Sequence, residues 1–188
     1  MFWMIIHNST INYNQHFAAV TVTTKERGKY MKAIIFSDSH GDVEVMRNAV
    51  NKETPGVIIH LGDCVSDAGA LKREFPNIPM YGVAGNRDGG SNENYVNRME
   101  LCGKNIMLTH GHIYKVKSGT VELLRAGTEN DADIILFGHT HEPFLRRRNG
   151  KWMMNPGRVG RISGNSANAT YGILDIEPDF IRWELRSC

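Results

Sequence analysis

Short apolar runs and amphipathic stretches alternate along most of the chain. The runs at Ala33–Phe36, Val57–His60 and Ile78–Val83 predict buried strands, because short apolar runs bounded by turn residues are typical of strands inside a sheet. Between these strands, apolar residues at helical spacing over Val43–Val50 and Ala68–Phe75 predict two helices, each of which is followed by a proline. This alternation predicts parallel βαβ units in the first half of the chain.

The rest of the chain contains more strand patterns than helix patterns. Asn149-Gly150 lies between two of them and is a strong signal for a two-residue β-hairpin turn. Parallel units followed by hairpins predict an α/β fold, in which a two-sheet β-sandwich is flanked by helices within a single domain. The later predicted elements are a helix within residues 119–129 and strands at Lys104–Leu108, Ile134–Phe137, Phe144–Arg148, Lys151–Met154, Ala169–Ile176 and Phe180–Arg186.

Residues 1–30 differ from the rest of the chain. They show no sustained periodicity and contain no motif, whereas a strand pattern begins directly after Met31. We therefore expect residues 1–30 to be an N-terminal extension that is dispensable or poorly ordered, and residues 31–188 to form the domain. The alternative is an N-terminal edge strand over Ala18–Thr23.

The composition argues against several classes of protein. The 188-residue chain has 22 Lys and Arg against 20 Asp and Glu, a net charge of +2, whereas proteins that bind nucleic acid or membrane surfaces usually have a clear basic excess. The three cysteines share no ligand-like spacing and predict no disulfide framework. We therefore expect a cytoplasmic protein without nucleic-acid or membrane partners.

Polar loops follow five of the predicted strands, and five of the eight histidines lie in them. Loops at the carboxyl ends of strands collect ligand groups in α/β folds. So many polar groups in one place are most simply explained as ligands of a metal ion. Imidazole and carboxylate are suitable ligands for Zn, Mn, Fe, Co or Ni. The loops are Asp38-Ser39-His40, Gly62-Asp63, Gly85-Asn86-Arg87-Asp88, His110-Gly111-His112 and Gly138-His139-Thr140-His141.

The number of candidate ligands favours two ions over one. Seven ligands exceed what one catalytic ion needs, whereas two ions about 3.5–4 Å apart that share one carboxylate would use them all. Asp63 is the expected bridge, because it is the single carboxylate between the two sets of ligands. The candidate ligands are Asp38, His40, Asp63, Asn86, His110, His139 and His141.

The five loops, taken in this order, resemble the motifs of the calcineurin-like metallophosphoesterases, and most closely those of their small bacterial and archaeal phosphodiesterase branch. The resemblance runs from about Met31 to the C-terminus. One such motif would be weak evidence, but five in order at strand ends are highly specific. The resemblance implies the metallophosphoesterase fold with a dinuclear centre at the sheet edge. Of the divalent ions, we favour manganese, with Ni, Co, Zn and Fe as alternatives.

The resemblance also implies how the ligands divide between the ions. His112 has no ligand position in that scheme and is expected to support the site from behind the ligands. The first ion would be held by Asp38, His40, Asp63 and His141, and the second by Asp63, Asn86, His110 and His139.

Arg87 departs from the family pattern, because many members have His at this position. An arginine does not release a proton in proteins and cannot act as a general acid, but it can clamp phosphate oxygens. We therefore expect Asn86 and Arg87 to bind the substrate and to offset charge on its phosphoryl oxygens, while two ions activate a water to hydroxide. The leaving-group proton would come from water, from His112 or from no side chain.

Together these features predict a metal-dependent phosphodiesterase that acts on a small or nucleotide-like phosphodiester. A phosphomonoesterase, including a protein phosphatase, is one alternative, although the chain has no insertion long enough to suggest a protein-docking surface. The other alternative is a non-catalytic scaffold, because the retromer scaffold subunit shares the fold with a degraded site. The complete set of seven candidate ligands argues against a scaffold.

Some residues near the motifs have both a structural and a functional interpretation. We expect His60 to be hydrogen-bonded within the core and Cys64 to be a small packed residue. Asp67 is expected to cap the helix that follows it. The run Arg146–Arg148 is typical of a solvated strand, with steering of an anionic substrate as the alternative.

Overall fold

Two five-stranded sheets form the centre of the protein, whose computed structural model describes residues 30–160 and 169–188. The first sheet contains β1 (Met31–Phe36), β2 (Val57–His60), β3 (Met80–Gly82), β9 (Thr170–Glu177) and β10 (Phe180–Ser187). The second contains β4 (Val96–Leu101), β5 (Lys104–Thr109), β6 (Ile134–Leu136), β7 (Pro143–Arg148) and β8 (Lys151–Pro156). The helices are α1 (Val43–Glu53), α2 (Val65–Glu74) and α3 (Val121–Glu129), and a 3₁₀ turn lies at His112–Tyr114.

Strand order brings the polar loops to one end of the sandwich. In the first sheet the order is β10-β9-β1-β2-β3, and β1, β2 and β3 are parallel. In the second sheet the order is β4-β5-β6-β8-β7, and β5, β6 and β8 are parallel while the two edge strands are antiparallel. Parallel neighbours end at the same edge, so each sheet presents its carboxyl-end loops together.

Three layers of apolar side chains hold the sheets and helices together. On β1, Ala33 and Ile35 face the second sheet, whereas Ile34 and Phe36 pack against α1 and α2. The outer face of the second sheet is covered by α3 through Leu123 and its neighbours. A two-sheet sandwich flanked by helices, in one domain, is thus the observed architecture. No helix in the described part of the chain is long and apolar enough to cross a membrane.

Most predicted elements are present, with bounds that shift by a few residues. The hairpin at Asn149-Gly150 is confirmed, and both residues have the positive φ, 50° and 78°, that a type I′ turn requires. The third strand is shorter than predicted, at Met80–Gly82 instead of Ile78–Val83. The second helix starts at Val65, before the predicted Ala68, because a carboxylate from a distant loop accepts its first backbone N–H groups.

One strand was absent from the prediction. β4 pairs with β5 through a two-residue turn at Cys102-Gly103, where φ is 50° and 78°. Its buried residues, Val96, Met99 and Leu101, do not alternate strictly with exposed ones, and the turn lacks the Asn-Gly signal. The strand pattern was therefore weak in the sequence.

The N-terminal predictions lie almost wholly outside the described residues. The alternative edge strand at Ala18–Thr23 is among them, so the prediction of a dispensable extension stays a prediction. Tyr30, the first described residue, donates a hydrogen bond to Asp175 on β9. The last residue of the predicted extension therefore contacts the domain.

Candidate functional site

Loops from both sheets meet at one edge of the sandwich. Asp38 follows β1 and Asp63 follows β2, whereas His110 and His139 follow β5 and β6 of the other sheet. His110 Nε2 lies 3.5 Å from Asp63 Oδ1 and 3.9 Å from Asp38 Oδ1, and the backbone N–H of His139 donates to Asp38 Oδ2 at 3.1 Å. The site is thus assembled across the two sheets.

The side chains form two overlapping groups with the spacing of metal ligands. Asp38 belongs to both groups, and within each group the ligand atoms lie within 4.8 Å of one another. His139 adjoins the second group, with its Nδ1 3.2 Å from His110 Nε2. The first group is Asp38, His40 and His141, and the second is Asp38, Asp63 and His110.

Six of the seven predicted ligands are therefore close together. The seventh, Asn86, lies with Arg87 on the exposed side of the loop after β3. In this geometry the carboxylate common to both groups is Asp38, whereas the sequence pointed to Asp63 as the bridge. The two carboxylates lie near the same histidine, His110, which belongs to the second group.

The Asp38 carboxylate shows what kind of ligand fits. It is fully buried, and its Oδ2 accepts from Ser37 Oγ at 2.6 Å. Its Oδ1 accepts no hydrogen bond from any described residue, although His141 Nε2 lies 3.1 Å away. A buried anionic oxygen without a donor is costly unless a cation neutralises it. Divalent metal ions therefore fit the residues present.

The histidines near Asp38 are oriented as metal ligands are. His110 Nδ1 lies 2.7 Å from the Leu61 carbonyl oxygen, so Nδ1 carries the proton and donates it there. The lone pair of Nε2 is then directed toward Asp63. A backbone carbonyl that fixes the tautomer of a histidine is a common support for metal-ligating imidazole.

Electrostatics favour the metal-binding protonation states of Asp38, His40 and His139. Burial alone would raise the pKa of Asp38, but the neighbouring His141, His110 and Ser37 side chains outweigh it and the pKa is lowered. Burial lowers the pKa of His40, and burial together with the nearby His110 and Lys117 side chains lowers that of His139 to about 4. An ionised carboxylate among neutral imidazoles is the state that metal binding requires.

The backbone of the site is strained at the predicted ligands themselves. Left-handed φ values are uncommon for residues other than glycine and cost free energy. Such residues persist where the surrounding structure holds them in place, and they cluster at functional sites. Five of the seven predicted ligands have positive φ: Asp38 (56°), His40 (46°), Asp63 (57°), His139 (67°) and His141 (62°).

Two glycines allow the loops to approach the carboxylates. A Cβ on Gly85 would lie 2.2 Å from Asp63 Oδ1, and one on Gly138 would lie 1.8 Å from Ser37 Oγ and 3.0 Å from Asp38 Oδ2. Real Cβ atoms do not come as close as 2.2 or 1.8 Å, so a side chain would displace Asp63 at the first position and Ser37, the donor to Asp38, at the second. The glycines of the motifs thus have a steric role beside the ligands.

Sequence reasoning missed the part played by Asp88, which was noted only as the last residue of its motif. Its carboxylate accepts four backbone N–H groups, from Asp63, Cys64, Val65 and Gly85, at 2.7–2.9 Å. Burial would raise the pKa of Asp88, but these donors lower it. Asp88 therefore joins the loops after β2 and β3 and satisfies the first turn of α2.

Asn155 supports the loop after β6 in a similar way. It is fully buried, and its Nδ2 donates to the Gly138 carbonyl at 2.8 Å and to Thr140 Oγ1 at 3.1 Å. Its Oδ1 accepts from the backbone N–H of Gly157 at 2.8 Å. This side chain fixes the loop that carries His139, from a strand remote in sequence.

The prediction that Asp67 caps its own helix is wrong. Asp67 lies in the first turn of α2, and its Oδ2 accepts from Ser39 Oγ and from the backbone N–H of Gly41, each at 2.7 Å. The first N–H groups of α2 are satisfied by Asp88, so the Asp67 carboxylate is left to bind the loop after β1. His60 Nε2 in turn lies 3.1 Å from Ser39 Oγ. His60 is thus a hydrogen-bonded core residue, as expected.

Cys64 and His112 lie beside the ligand groups but in neither of them. Cys64 Sγ is 4.0 Å from His40 Nδ1, and burial raises the pKa of its thiol, so the thiol stays protonated. The His112 ring lies 5.5 Å from the His110 ring and edge-on to Tyr95 at 5.1 Å, between centroids. Its Nδ1 is buried and has no hydrogen-bond partner among residues 30–160 and 169–188.

Comparison with known proteins gives a family and relatives. The sequence model of the calcineurin-like phosphoesterase superfamily domain matches residues 31–179. The probable metallophosphoesterase YsnB of Bacillus subtilis is 30% identical over 152 residues, which cover 79% of this chain and 86% of that protein. The phosphodiesterase MJ0936 of Methanocaldococcus jannaschii is 29% identical over 165 residues, covering 78% and 94%.

Solved structures share the architecture. A crystal structure of a predicted phosphoesterase from Streptococcus pneumoniae superposes with a TM-score of 0.70 at 23% identity, covering 85% of this chain and 90% of that one. A single mutant of Vps29 from Entamoeba histolytica superposes with a TM-score of 0.65 at 20% identity, covering 84% and 99%. At these identities the likeness shows the fold alone.

Proposed function

The chain belongs to the calcineurin-like phosphoesterase superfamily, and we propose that it hydrolyses a small phosphodiester at a centre that holds two divalent metal ions. The observation that carries this proposal is the buried Asp38 carboxylate, whose Oδ1 has no donor among the described residues and is surrounded by histidines. The names of the relatives in Bacillus subtilis and Methanocaldococcus jannaschii support phosphoester chemistry. The preference for diesters follows the second of these.

The residues that would hold the ions are those that the motifs indicate. When bound, divalent ions lower the pKa of a water toward neutrality and neutralise charge on phosphoryl oxygens. His110 is already oriented by the Leu61 carbonyl, and Asp63 by the backbone N–H of Arg87 at 2.9 Å. We propose Asp38, His40, Asp63 and His141 for one ion and Asp63, Asn86, His110 and His139 for the other.

Asn86 and Arg87 would bind the phosphoryl group. Both are exposed at the end of the loop whose backbone holds Asp63, so a substrate on the candidate ligands lies within reach of this loop. The guanidinium of Arg87 forms no ion pair with a described carboxylate and is free to bind two phosphate oxygens at once. Arg87 keeps its proton throughout, so it positions the substrate and stabilises charge.

The leaving group needs a proton from elsewhere. Burial and the nearby His110 side chain lower the pKa of His112, so this ring is neutral at neutral pH. A neutral imidazole is too weak an acid to give up its remaining proton, but its N–H can donate a hydrogen bond to the leaving oxygen, and it can orient a water that supplies the proton. We propose that His112 assists the leaving oxygen in one of these ways, with bulk water as the alternative source.

The test uses protein stripped of metal with a chelator. Mn, Ni, Co, Zn and Mg are added back singly, and hydrolysis of bis(4-nitrophenyl) phosphate is compared with that of 4-nitrophenyl phosphate. We expect Mn²⁺ to restore cleavage of the diester more than that of the monoester, and Asp63→Asn to abolish it. Faster cleavage of the monoester would favour a phosphomonoesterase, and no turnover with any metal would favour a non-catalytic scaffold.

A further inference from the structure

A cavity of about 610 Å³ lies beside the candidate metal centre. It is lined by residues of the segment before α3 and by residues of the loop and strand after β6. Thr140, which lines the cavity, stands in the chain between His139 and His141. The cavity and the ligand groups therefore share one loop, and its volume suits one arm of a small ester.

The cavity wall is positively charged. Lys117, Arg146 and Arg148 line it, against the single carboxylate of Glu142. In the part of the chain that the structure describes, none of the three cations forms an ion pair with a carboxylate. The Arg146 guanidinium is placed over the Phe144 ring, 5.6 Å from its centroid. The cavity thus contains cationic groups without an anionic protein partner.

The arginine run on β7 divides between the two faces of the strand. Side chains alternate along a strand, so Arg146 and Arg148 share a face and Arg147 takes the other. Arg147 lies over the Trp152 ring, 5.8 Å from its centroid, and its Nε donates to the Gly150 carbonyl at 3.3 Å. Arg147 therefore contacts Trp152 and Gly150, whereas Arg146 and Arg148 line the cavity.

The start of α3 adds a weaker positive contribution. Gly119 and Thr120 line the cavity just before the nine-residue helix, and Thr120 makes no side-chain capping hydrogen bond. Unsatisfied N–H groups at a helix N-terminus favour negative charge nearby. This contribution has the same sign as that of the three cationic side chains.

We propose that the cavity binds a second anionic group, such as a phosphate, on one arm of the phosphodiester substrate. The proposal rests on the proposed function, because it concerns one of the two ester groups of the phosphodiester that would be cleaved at the metal centre. It defines the substrate class as a phosphodiester with an additional phosphate on a nucleoside-sized arm. Lys117, Arg146 and Arg148 select that arm over an uncharged one.

The test compares two esters that differ by one phosphate. These are thymidine 5′-(4-nitrophenyl phosphate) and the same ester with a 3′-phosphate, both assayed with the Mn²⁺-loaded protein. We expect the 3′-phosphate to raise kcat/KM about tenfold, mainly through KM. In Arg146→Gln/Arg148→Gln the ratio of the two kcat/KM values falls to about one. The matched control, Arg147→Gln, keeps the wild-type ratio.

A wild-type ratio of one, or a ratio that survives the double substitution, overturns the proposal. Binding to metal-free protein separates its failure from failure of the proposed function. There, calorimetry compares thymidine 5′-phosphate with thymidine 3′,5′-bisphosphate. If neither ester is cleaved but the bisphosphate still binds more tightly in a manner that requires Arg146 and Arg148, the proposed reaction fails and the anion site stands. Equal binding of the two nucleotides overturns the anion site.

Discussion

Asp38 and Asp175 are both almost completely buried, and both lie close to β1, yet they have different surroundings. Asp175 accepts from Nε and Nη2 of Arg182 at 2.9 and 2.7 Å and from the Tyr30 hydroxyl. Asp38 has histidines near its Oδ1 but no donor to it among the described residues. Asp175 is neutralised within the chain, whereas Asp38 needs a cation from solution.

The same contrast holds for the backbone. Asp175 lies in a regular strand, paired with Lys32 of β1 and Arg182 of β10. The predicted ligands lie in loops with left-handed φ values, held by Asp88 and Asn155. A carboxylate that contributes to stability can sit in relaxed backbone, whereas the site keeps its carboxylates in place at a conformational cost. Substitution of the predicted ligands should therefore lower the activity, whereas substitution of Asp175 should lower the stability.

Loss of a shared ligand should have the largest effect. Asp63→Asn is expected to lower kcat about 10³-fold, because metal ions supply several kcal/mol of transition-state stabilisation. The assay is diester hydrolysis with added Mn²⁺, together with metal content by atomic emission. Asp175→Asn is the matched control, as an equally buried carboxylate away from the site, and should keep its turnover. Equal losses of turnover in both variants would contradict the distinction between the site carboxylates and Asp175.

Displacement of a candidate ligand should lower the rate of hydrolysis less than the loss of Asp63 does. In Gly138→Ala the new Cβ pushes against Ser37 and Asp38, and a shift of about 1 Å in a catalytic group lowers rates about 10²-fold. Gly89→Ala is the control, because a Cβ there meets nothing within 4 Å. Both rates are measured with saturating Mn²⁺. A Gly138→Ala variant as active as Gly89→Ala would show that the close approach at Asp38 has no functional role.

Arg87 and Arg182 extend the contrast to the cations. Arg182 is bound to Asp175, whereas Arg87 has no carboxylate partner among the described residues. Arg87→Ala should raise KM about tenfold or more, since hydrogen bonds to charged groups contribute roughly 1.5–3 kcal/mol. Steady-state kinetics and binding of a non-hydrolysed product analogue check this. A lower kcat with no loss of binding would contradict the clamp.

Loss of the Asp175 carboxylate should lower the stability of the metal-free protein. Asp175→Asn leaves Arg182 and Tyr30 without an ionised acceptor, so the free energy of unfolding should fall by about 2–3 kcal/mol. Urea titrations of the variant and of the wild type measure this. An Asp175→Asn protein that unfolds at the same urea concentration as the wild type would contradict it.

The pH dependence should show the smallest effect. Burial lowers the pKa of His60 to about 4 in the folded protein, whereas an unfolded histidine titrates near 6.5. Below pH 6.5 the unfolded state binds the proton and the folded state does not, so stability falls as the pH decreases. Between pH 6.5 and 5 this contribution is about 2 kcal/mol. In His60→Gln the loss of unfolding free energy between pH 6.5 and 5 should be smaller by that amount. Urea unfolding of both proteins without metal measures this, and an equal loss in both would contradict it.

Much of the fold followed from local signals. Apolar runs ending in polar loops marked β1, β2, β3, β5 and β6, and Asn149-Gly150 marked a hairpin with the φ values it requires. β4 could not be predicted in the same way, because its buried residues do not alternate and its turn lacks the Asn-Gly signal. Strands of this kind are stabilised by their neighbours rather than by their own pattern.

The candidate ligands could be identified in the sequence, but the residues that support them could not. Asp38, Asp63 and the histidines each lie in a polar loop that follows an apolar strand pattern, which the sequence shows directly. Asp88 and Asn155 act on loops distant from them in sequence, through hydrogen bonds that depend on how the sheets pack. Asp67 was assigned to the nearest helix because sequence proximity was the only guide, whereas its partners, Ser39 and Gly41, come from another loop.

The most direct measurement is titration of the metal-free chain with Mn²⁺, by calorimetry with equilibrium dialysis as a check on stoichiometry. A centre built around Asp38 and Asp63 should bind two ions per chain at neutral pH, and Asp63→Asn should weaken the binding of both. Asp175→Asn should bind as the wild type does. A wild-type chain that binds one ion or none, or an Asp63→Asn chain that binds two ions with unchanged affinity, would contradict a dinuclear centre at this edge of the sandwich.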